Sequence, residues 1–350
     1  MTAIDITALT DEQKAKIAAY FAASEKAKKT TFDYMVMGFP LSKKVGVSLG
    51  LLPHSAIGYR LNSDTRSVDG FVKQYKGKGG VNKVFFGAGY QITPKFSIGM
   101  DFQYLFGILN TQSDVLNQNI IYGSREINES TVSGFALNTG LNFKTKFNSK
   151  LNFFSSVTYA PEAKLNSINT RNVSLVSALA NGSIVAASAD TEVNVADSKL
   201  IVPSKLVLGA GLGNRKWFLG GDVAFSGSGN QVNRFENYSN VSYENAVKVA
   251  IGGFFIPKFD SFNNYFQRVT YRGGFKYENT GLVINNTAIK DKSVTLGFGL
   301  PISGTFSSLN LGIEYGSRGT TRNNLIKEDY FSINIGLLFN DKWFRKTLYN

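Results

Sequence analysis

The chain has 350 residues with no cysteine, 35 glycines, 28 phenylalanines and 16 tyrosines, and only 18% of it is charged. Absence of cysteine removes disulfides, zinc–thiolate centres and cysteine nucleophiles, and so low a charged fraction with so much glycine and aromatic residue does not suit a helical enzyme. The formal charge of +13 comes from Lys and Arg scattered through turns and loops, with no basic run to track a phosphate backbone, so nucleic acid is not an expected partner.

Residues 1–30 open with a polar segment that lacks the apolar core of a secretory leader. Thr10 with Gln13 can form a capping box, and Asp11 to Lys28 reads as an Ala-rich helix whose stripe is Ile17, Ala18, Phe21 and Ala22. It is expected as a helical segment in an external loop, with a helix lying on the membrane as the alternative. The first strand is expected near 31–41 and the second over 45–62. Pro53 interrupts the second; it has no N–H for a ladder bond, so it marks either a plain bulge or a local opening. His54 beside it is the only histidine. No nucleophile motif surrounds it, and it reads as structural or lumenal.

Further along, alternation with period two recurs. Phe135, Leu137, Thr139, Leu141 and Phe143 oppose Gly134, Ala136, Asn138, Gly140 and Asn142. The segment 177–190 is small and weakly apolar and is expected in a long external loop. Pro203 poses the same ladder problem as Pro53. The glycine strings 86–91 and 209–213 lie within strand patterns and are followed by no helix, so neither reads as a phosphate loop. Val269, Tyr271, Phe275 and Tyr277 oppose Arg268, Arg272 and Lys276. Val294 to Leu300, Leu309 to Tyr315 and Phe331 to Phe339 repeat the pattern.

No stretch reaches the ~18–20 apolar residues of a membrane-crossing helix. The polar strand faces carry Gly and Asn rather than Lys and Glu, and the strands reach the ~9–11 residues that cross a bilayer at a tilt. Short links at 42–44, 93–95, 147–150, 214–216 and 304–307, with a medium one near 257–267, alternate with long polar links at 61–70, 112–128, 163–198, 227–242, 279–291 and 317–329. Short periplasmic turns and long external loops are the pattern of outer-membrane barrels. The fold class is therefore an all-β, antiparallel transmembrane barrel over 31–344, with a periplasmic tail at 345–350. About thirteen strands are counted. Closed bacterial barrels have an even number, so the expectation is an N-terminally incomplete chain and fourteen strands in the whole barrel.

On this scheme Asp101, Asp222, Arg268, Arg272, Lys276, Glu314 and Arg318 are candidate lumen charges. Arg268, Arg272 and Lys276 share one inward parity and could meet a fatty-acid carboxylate; an ion-paired, water-filled lumen is the alternative. Phe39, Tyr90, Phe96, Trp217 and Trp343 fall near the short turns, where an aromatic girdle belongs. No cofactor and no catalytic or metal site is expected.

The strings DYMVMGFPLSKKVGVSLGLLPHSAIGY (33–59), GKGGVNKVFFGAGYQITPKFSIGMDFQYLFG (77–107) and GIEYGSRGTTRNNLIKEDYFSINIGLLFNDKWF (312–344) resemble the outer-membrane long-chain fatty acid transport family, FadL-like, which includes aromatic-hydrocarbon transporters. That resemblance implies passive transport of hydrophobic small molecules through the lumen. It also implies a kinked strand opening the wall, a role for which Pro53 and His54 are the candidates. The family's Asn-Pro-Ala hatch motif is not in this sequence, and no ligand-contacting residue carries over. A general porin and a structural or secretion-associated barrel are the competing readings. Lipid and lipopolysaccharide are the expected surroundings.

Overall fold

A computed structural model describes residues 33–62, 71–117, 120–178, 184–227, 240–302 and 307–340. They form one antiparallel sheet. Its strands are β1 (Met35–Pro40), β2 (Val45–Asn62), β3 (Phe71–Gln91), β4 (Phe96–Asn117), β5 (Gly123–Lys146), β6 (Asn152–Ala160), β7 (Ala163–Ala178), β8 (Ile184–Ala186) and β9 (Thr191–Val193). The sheet continues with β10 (Ser198–Val202), β11 (Lys205–Gly213), β12 (Trp217–Ser226), β13 (Val241–Tyr243), β14 (Ala246–Phe255), β15 (Thr270–Ile284), β16 (Thr287–Pro301), β17 (Ser308–Gly319) and β18 (Lys327–Leu338). β6 with β7, and β10 with β11, are single spans broken at Pro161 and Pro203, while β8, β9 and β13 are short external pieces. Thirteen spans result among the described residues. Each pairs with its sequence neighbour from β1 to β18. Among the described residues no ladder joins β18 to β1. Tyr34 spans the interval, its hydroxyl 3.7 Å from where a Cβ on Gly336 would stand.

Four short turns use one device. A Ser, Thr or Asn side chain accepts two backbone N–H groups, with Lys third and an apolar residue fourth. Ser42 Oγ receives Lys44 and Val45 (3.2 and 3.1 Å), and Thr93 Oγ1 receives Lys95 and Phe96 (3.2 and 3.0 Å). Asn148 Oδ1 receives Lys150 and Leu151, both at 2.8 Å, and Asn214 Oδ1 receives Lys216 and Trp217 (2.8 and 3.1 Å). These turns fix one rim of the molecule.

The opposite rim corrects the sequence reading. Most of 112–128 is strand, because β4 runs to Asn117 and β5 starts at Gly123. The expected loop 279–291 is a hairpin closed by Asn285 and Asn286 at φ 49° and 55°, both left-handed as a two-residue hairpin turn demands. The expected loop 163–198 contains β7, β8 and β9. Polarity misled here for a physical reason: beyond the bilayer both strand faces are free to be polar, so alternation fades while the ladder continues. The expected helix in 1–30, the tail at 345–350 and Trp343 lie outside the described residues.

Apolar rows point outward. Along β4 the outer face is Phe96, Ile98, Met100, Phe102, Tyr104, Phe106 and Ile108, all exposed. Twelve residue steps at ~3.3 Å make roughly 40 Å of strand, or about 28 Å of height at a ~45° tilt, close to the ~25 Å apolar band of an outer-membrane barrel. Phe331, Ile333, Ile335 and Leu337 repeat the row on β18, Ile335 being 72% exposed. Tyr90, Phe96 and Trp217 sit on this face at the short-turn rim, as a girdle requires.

Candidate lumenal site

Glycines concentrate on the inward rows of β11, β12, β14 and β15. Gly209, Gly211, Gly220, Gly252 and Gly274 leave an open cavity of about 540 Å³ on the inner wall, which also holds Asn142, Phe154, Ser156, Phe218, Asp222, Lys248, Lys276 and Thr295. Phe154, Phe218 and Phe254 form an inward aromatic shelf with centroid separations of 5.9 and 6.0 Å. The shelf exists because Gly211 and Gly220 carry no side chains: a Cβ on Gly211 would stand 2.4 Å from the Phe218 ring.

A second inner feature is apolar. Val81, Leu105, Leu109, Val132 and Leu165 are buried together, with Ile57, Ala136, Leu200 and Val202 packed around them. Ile57 is on β2 and Leu200 on β10, the first and last of six successive neighbours in the sheet. Leu200 pairs directly with Leu165, and Ile57 lies beside Val81, so the row lines the inner wall with hydrocarbon across six neighbouring strands at this level.

Beside this cluster the wall is interrupted. The β5–β7 ladder ends at Ser133↔Asn166 and the β5–β6 ladder resumes at Thr139↔Tyr159. Residues 134–138 therefore face 160–165 without pairing. Proline supplies no ladder N–H, and Pro161 and Pro203 stand on adjacent spans at this height, since Ala160 pairs with Lys205 and Ala163 with Val202. Leu165 abuts the edge of the interruption, where a Cβ on Gly134 would lie 2.8 Å from Leu165 Cδ2 and 3.1 Å from its Cα.

The charges of β15–β18 converge on Asp291, which is fully buried. Arg318 donates to it through Nε (2.9 Å) and Nη2 (2.8 Å), Tyr330 through its hydroxyl (2.8 Å), and Lys276 Nζ stands 3.7 Å away. Lys276 also meets Glu314 at 3.2 Å, and the Tyr330 hydroxyl lies 3.3 Å from Glu314. Three predicted residues, Lys276, Glu314 and Arg318, thus belong to one network. Its centre, Asp291, escaped the sequence reading because it ends a segment read as a loop, and Tyr330, at the start of the last strand, because only formally charged side chains were weighed as lumen candidates.

Other predicted positions lie apart from this network. Arg272 donates to Asn310 Oδ1 at 2.8 Å. Asp101 accepts from Gln103 and, at 3.2 Å, from Asn138. Asp222 faces the cavity, and among the described residues neither it nor Lys248 forms an ion pair. Arg268 is a correction: it follows a turn of 3-10 helix (Tyr265–Gln267), outside β15, with its guanidinium 5.3 Å from the Tyr265 ring centre. It belongs to the rim, because the inward parity of β15 begins only at Thr270. Pro53 and His54 form a one-residue bulge, Pro53 pairing with Asn82 and Ser55 with Val81, after which the β2–β3 ladder continues. Outside the apolar band, Asp114 and Arg125 pair at 2.7 Å, and the Asp114 hydrogen bond holds the Arg125 guanidinium above its ordinary pKa.

Apolar rows outside and a partly polar, partly hydrocarbon lumen inside define an outer-membrane β-barrel. Two solved structures share its fold. One is the toluene transporter TbuX of Ralstonia pickettii: 12% identity, TM-score 0.56, covering 86% of this chain and 79% of that one. The other is the toluene transporter TodX of P. putida: 15% identity, TM-score 0.53, covering 81% of this chain and 75% of that one. No curated protein sequence matches the chain. The chain belongs to the BamG family, which matches over residues 2–350.

Proposed function

We propose that this barrel passes hydrophobic small molecules across the outer membrane, without a chemical step and driven by their concentration difference. One observation carries the reading: the lumen holds a hydrocarbon cluster around Leu105 and Leu165 and, apart from it, an aromatic shelf beside the cavity. Such surfaces hold apolar ligands, whereas a general porin has a polar, water-filled interior. Similarity in fold to two toluene transporters supports the same direction. For a ligand with an acidic head, such as a fatty acid, Lys248 is the cation on the cavity wall that forms no ion pair among the described residues, standing opposite Glu278 in the β14–β15 register.

Exit is assigned sideways, through the unpaired stretch 134–138, with Leu165 as the side chain that moves. This site is preferred to Pro53, where the β2–β3 ladder resumes after one residue.

The test is conductance in planar bilayers together with mass spectrometry of the purified protein. Small conductance with co-purifying hydrophobic molecules is the expected result. Large, steady conductance with an empty lumen would establish the porin instead.

A further inference from the structure

The segment between β14 and β15, residues 256–269, exposes three phenylalanines on the short-turn rim. Phe262 is 97% exposed, Phe266 71% and Phe259 49%. A monomer in water rarely displays such a cluster without a partner. The segment is nevertheless ordered by its own bonds. Lys258 N–H donates to Gln267 O (2.8 Å), Asn264 Oδ1 accepts from Phe266 N–H (3.0 Å), and Arg268 stacks on Tyr265.

Two bonds show which way it leans. Tyr271 belongs to the outward, lipid-facing row of β15, and its hydroxyl donates to Phe266 O at 3.1 Å. Tyr265 donates to Pro301 O, at the end of β16, also at 3.1 Å. The loop is thus tied sideways along the outer wall, beneath Tyr271 and Phe298, whose rings meet edge to face at 6.0 Å. Its phenylalanines continue the lipid-facing band rather than the mouth of the lumen.

Charge agrees with that placement. Ile256 N–H donates to Lys216 O at 2.7 Å, which brings the 214–216 turn alongside. The two segments carry Arg215, Lys216 and Lys258, all exposed, and Arg268, half-buried over the Tyr265 ring, with Asp260 as their sole acidic side chain. Aromatic rings among cations match the interface of a bilayer with anionic headgroups.

We propose that residues 256–269 form a foot inserted in the periplasmic leaflet of the outer membrane, with Phe262 and Phe266 among the acyl chains and the four cations on phospholipid phosphates. The partner is a lipid surface.

Since the chain has no cysteine, a single F262C substitution can carry a nitroxide label without background. Phe262 packs on nothing, so the fold is unaffected by the change. The full-length protein is reconstituted in vesicles of phosphatidylethanolamine and phosphatidylglycerol, and relaxation by oxygen is compared with relaxation by a water-soluble nickel chelate. K43C, on the tip of another turn of the same rim, is the aqueous control. Expected is a several-fold preference for oxygen at position 262 and the reverse at 43. Equal nickel access at both positions would overturn the proposal by placing the loop in water. Shielding of position 262 from both reagents would overturn it too, by placing the loop against protein.

Discussion

Replacing Asp291 by alanine should destabilise the barrel more than any other single change to its lumenal charges. The carboxylate is fully buried and receives two Arg318 bonds of 2.8 and 2.9 Å and one Tyr330 bond of 2.8 Å. Hydrogen bonds to a charged group contribute ~1.5–3 kcal/mol each, so the three would sum to ~4.5–9 kcal/mol if all were lost without compensation. Compensation is substantial, however. Arg318 is 53% exposed and can be rehydrated, while Tyr330 and Lys276 keep Glu314 at 3.3 and 3.2 Å. The net cost is therefore about 2–4 kcal/mol, short of the full penalty for an orphaned buried charge. Urea unfolding from lipid vesicles, followed by the heat-modifiable band on gels, reads this cost. The sharper assay is a double-mutant cycle with Arg318→Ala. An interaction of at least ~1 kcal/mol is expected, and additivity within ~0.5 kcal/mol would refute the claim that Asp291 is the hub.

Three further changes test other parts of the account. Gly209→Leu places a side chain in the cavity where its Cβ first meets Ser156 Oγ at 2.9 Å, a contact one hydroxyl rotation relieves; uptake should fall several-fold while the folded band persists. Leu165→Ala removes the side chain that abuts Gly134. It should cost roughly 2–5 kcal/mol, as large-to-small changes in packed sites do, and should also speed release of a hydrophobic fluorophore into the bilayer; lost stability with unchanged release would remove Leu165 from the exit route. Asn286→Val forces a β-branched residue to φ 55° and should cost about 1–2 kcal/mol, read from the shift in urea midpoint.

Much of the barrel was legible because lipid imposes a rule on sequence. The rows Phe135 to Phe143 and Phe331 to Phe339 had to alternate, since one face meets acyl chains, and counting such rows gave the thirteen spans found. The turns were legible for a related reason: a side-chain acceptor, a Lys and an apolar residue mark the point where the chain re-enters the bilayer. What lay beyond the apolar band was not. Between Ile284 and Ser293 the outer face meets water, no contrast remains between faces, and a hairpin was read as a loop. Asp291 was lost with it, although carrying the β16–β17 register upward from Thr295↔Glu314 by four residues places it opposite Arg318. The wall interruption needed partners from three spans. Pro203 was visible alone, but its meaning depends on Pro161 standing beside it and on Gly134 making room for Leu165. Arg268 shows the opposite error, a parity extended past the end of its strand.

The most direct test of the transport reading is solute selectivity in proteoliposomes bearing the full-length protein. The account predicts that entry of a hydrophobic solute such as toluene is accelerated over protein-free vesicles, while swelling in a small sugar stays at the protein-free rate. Fast sugar-driven swelling with no acceleration of toluene entry would contradict it.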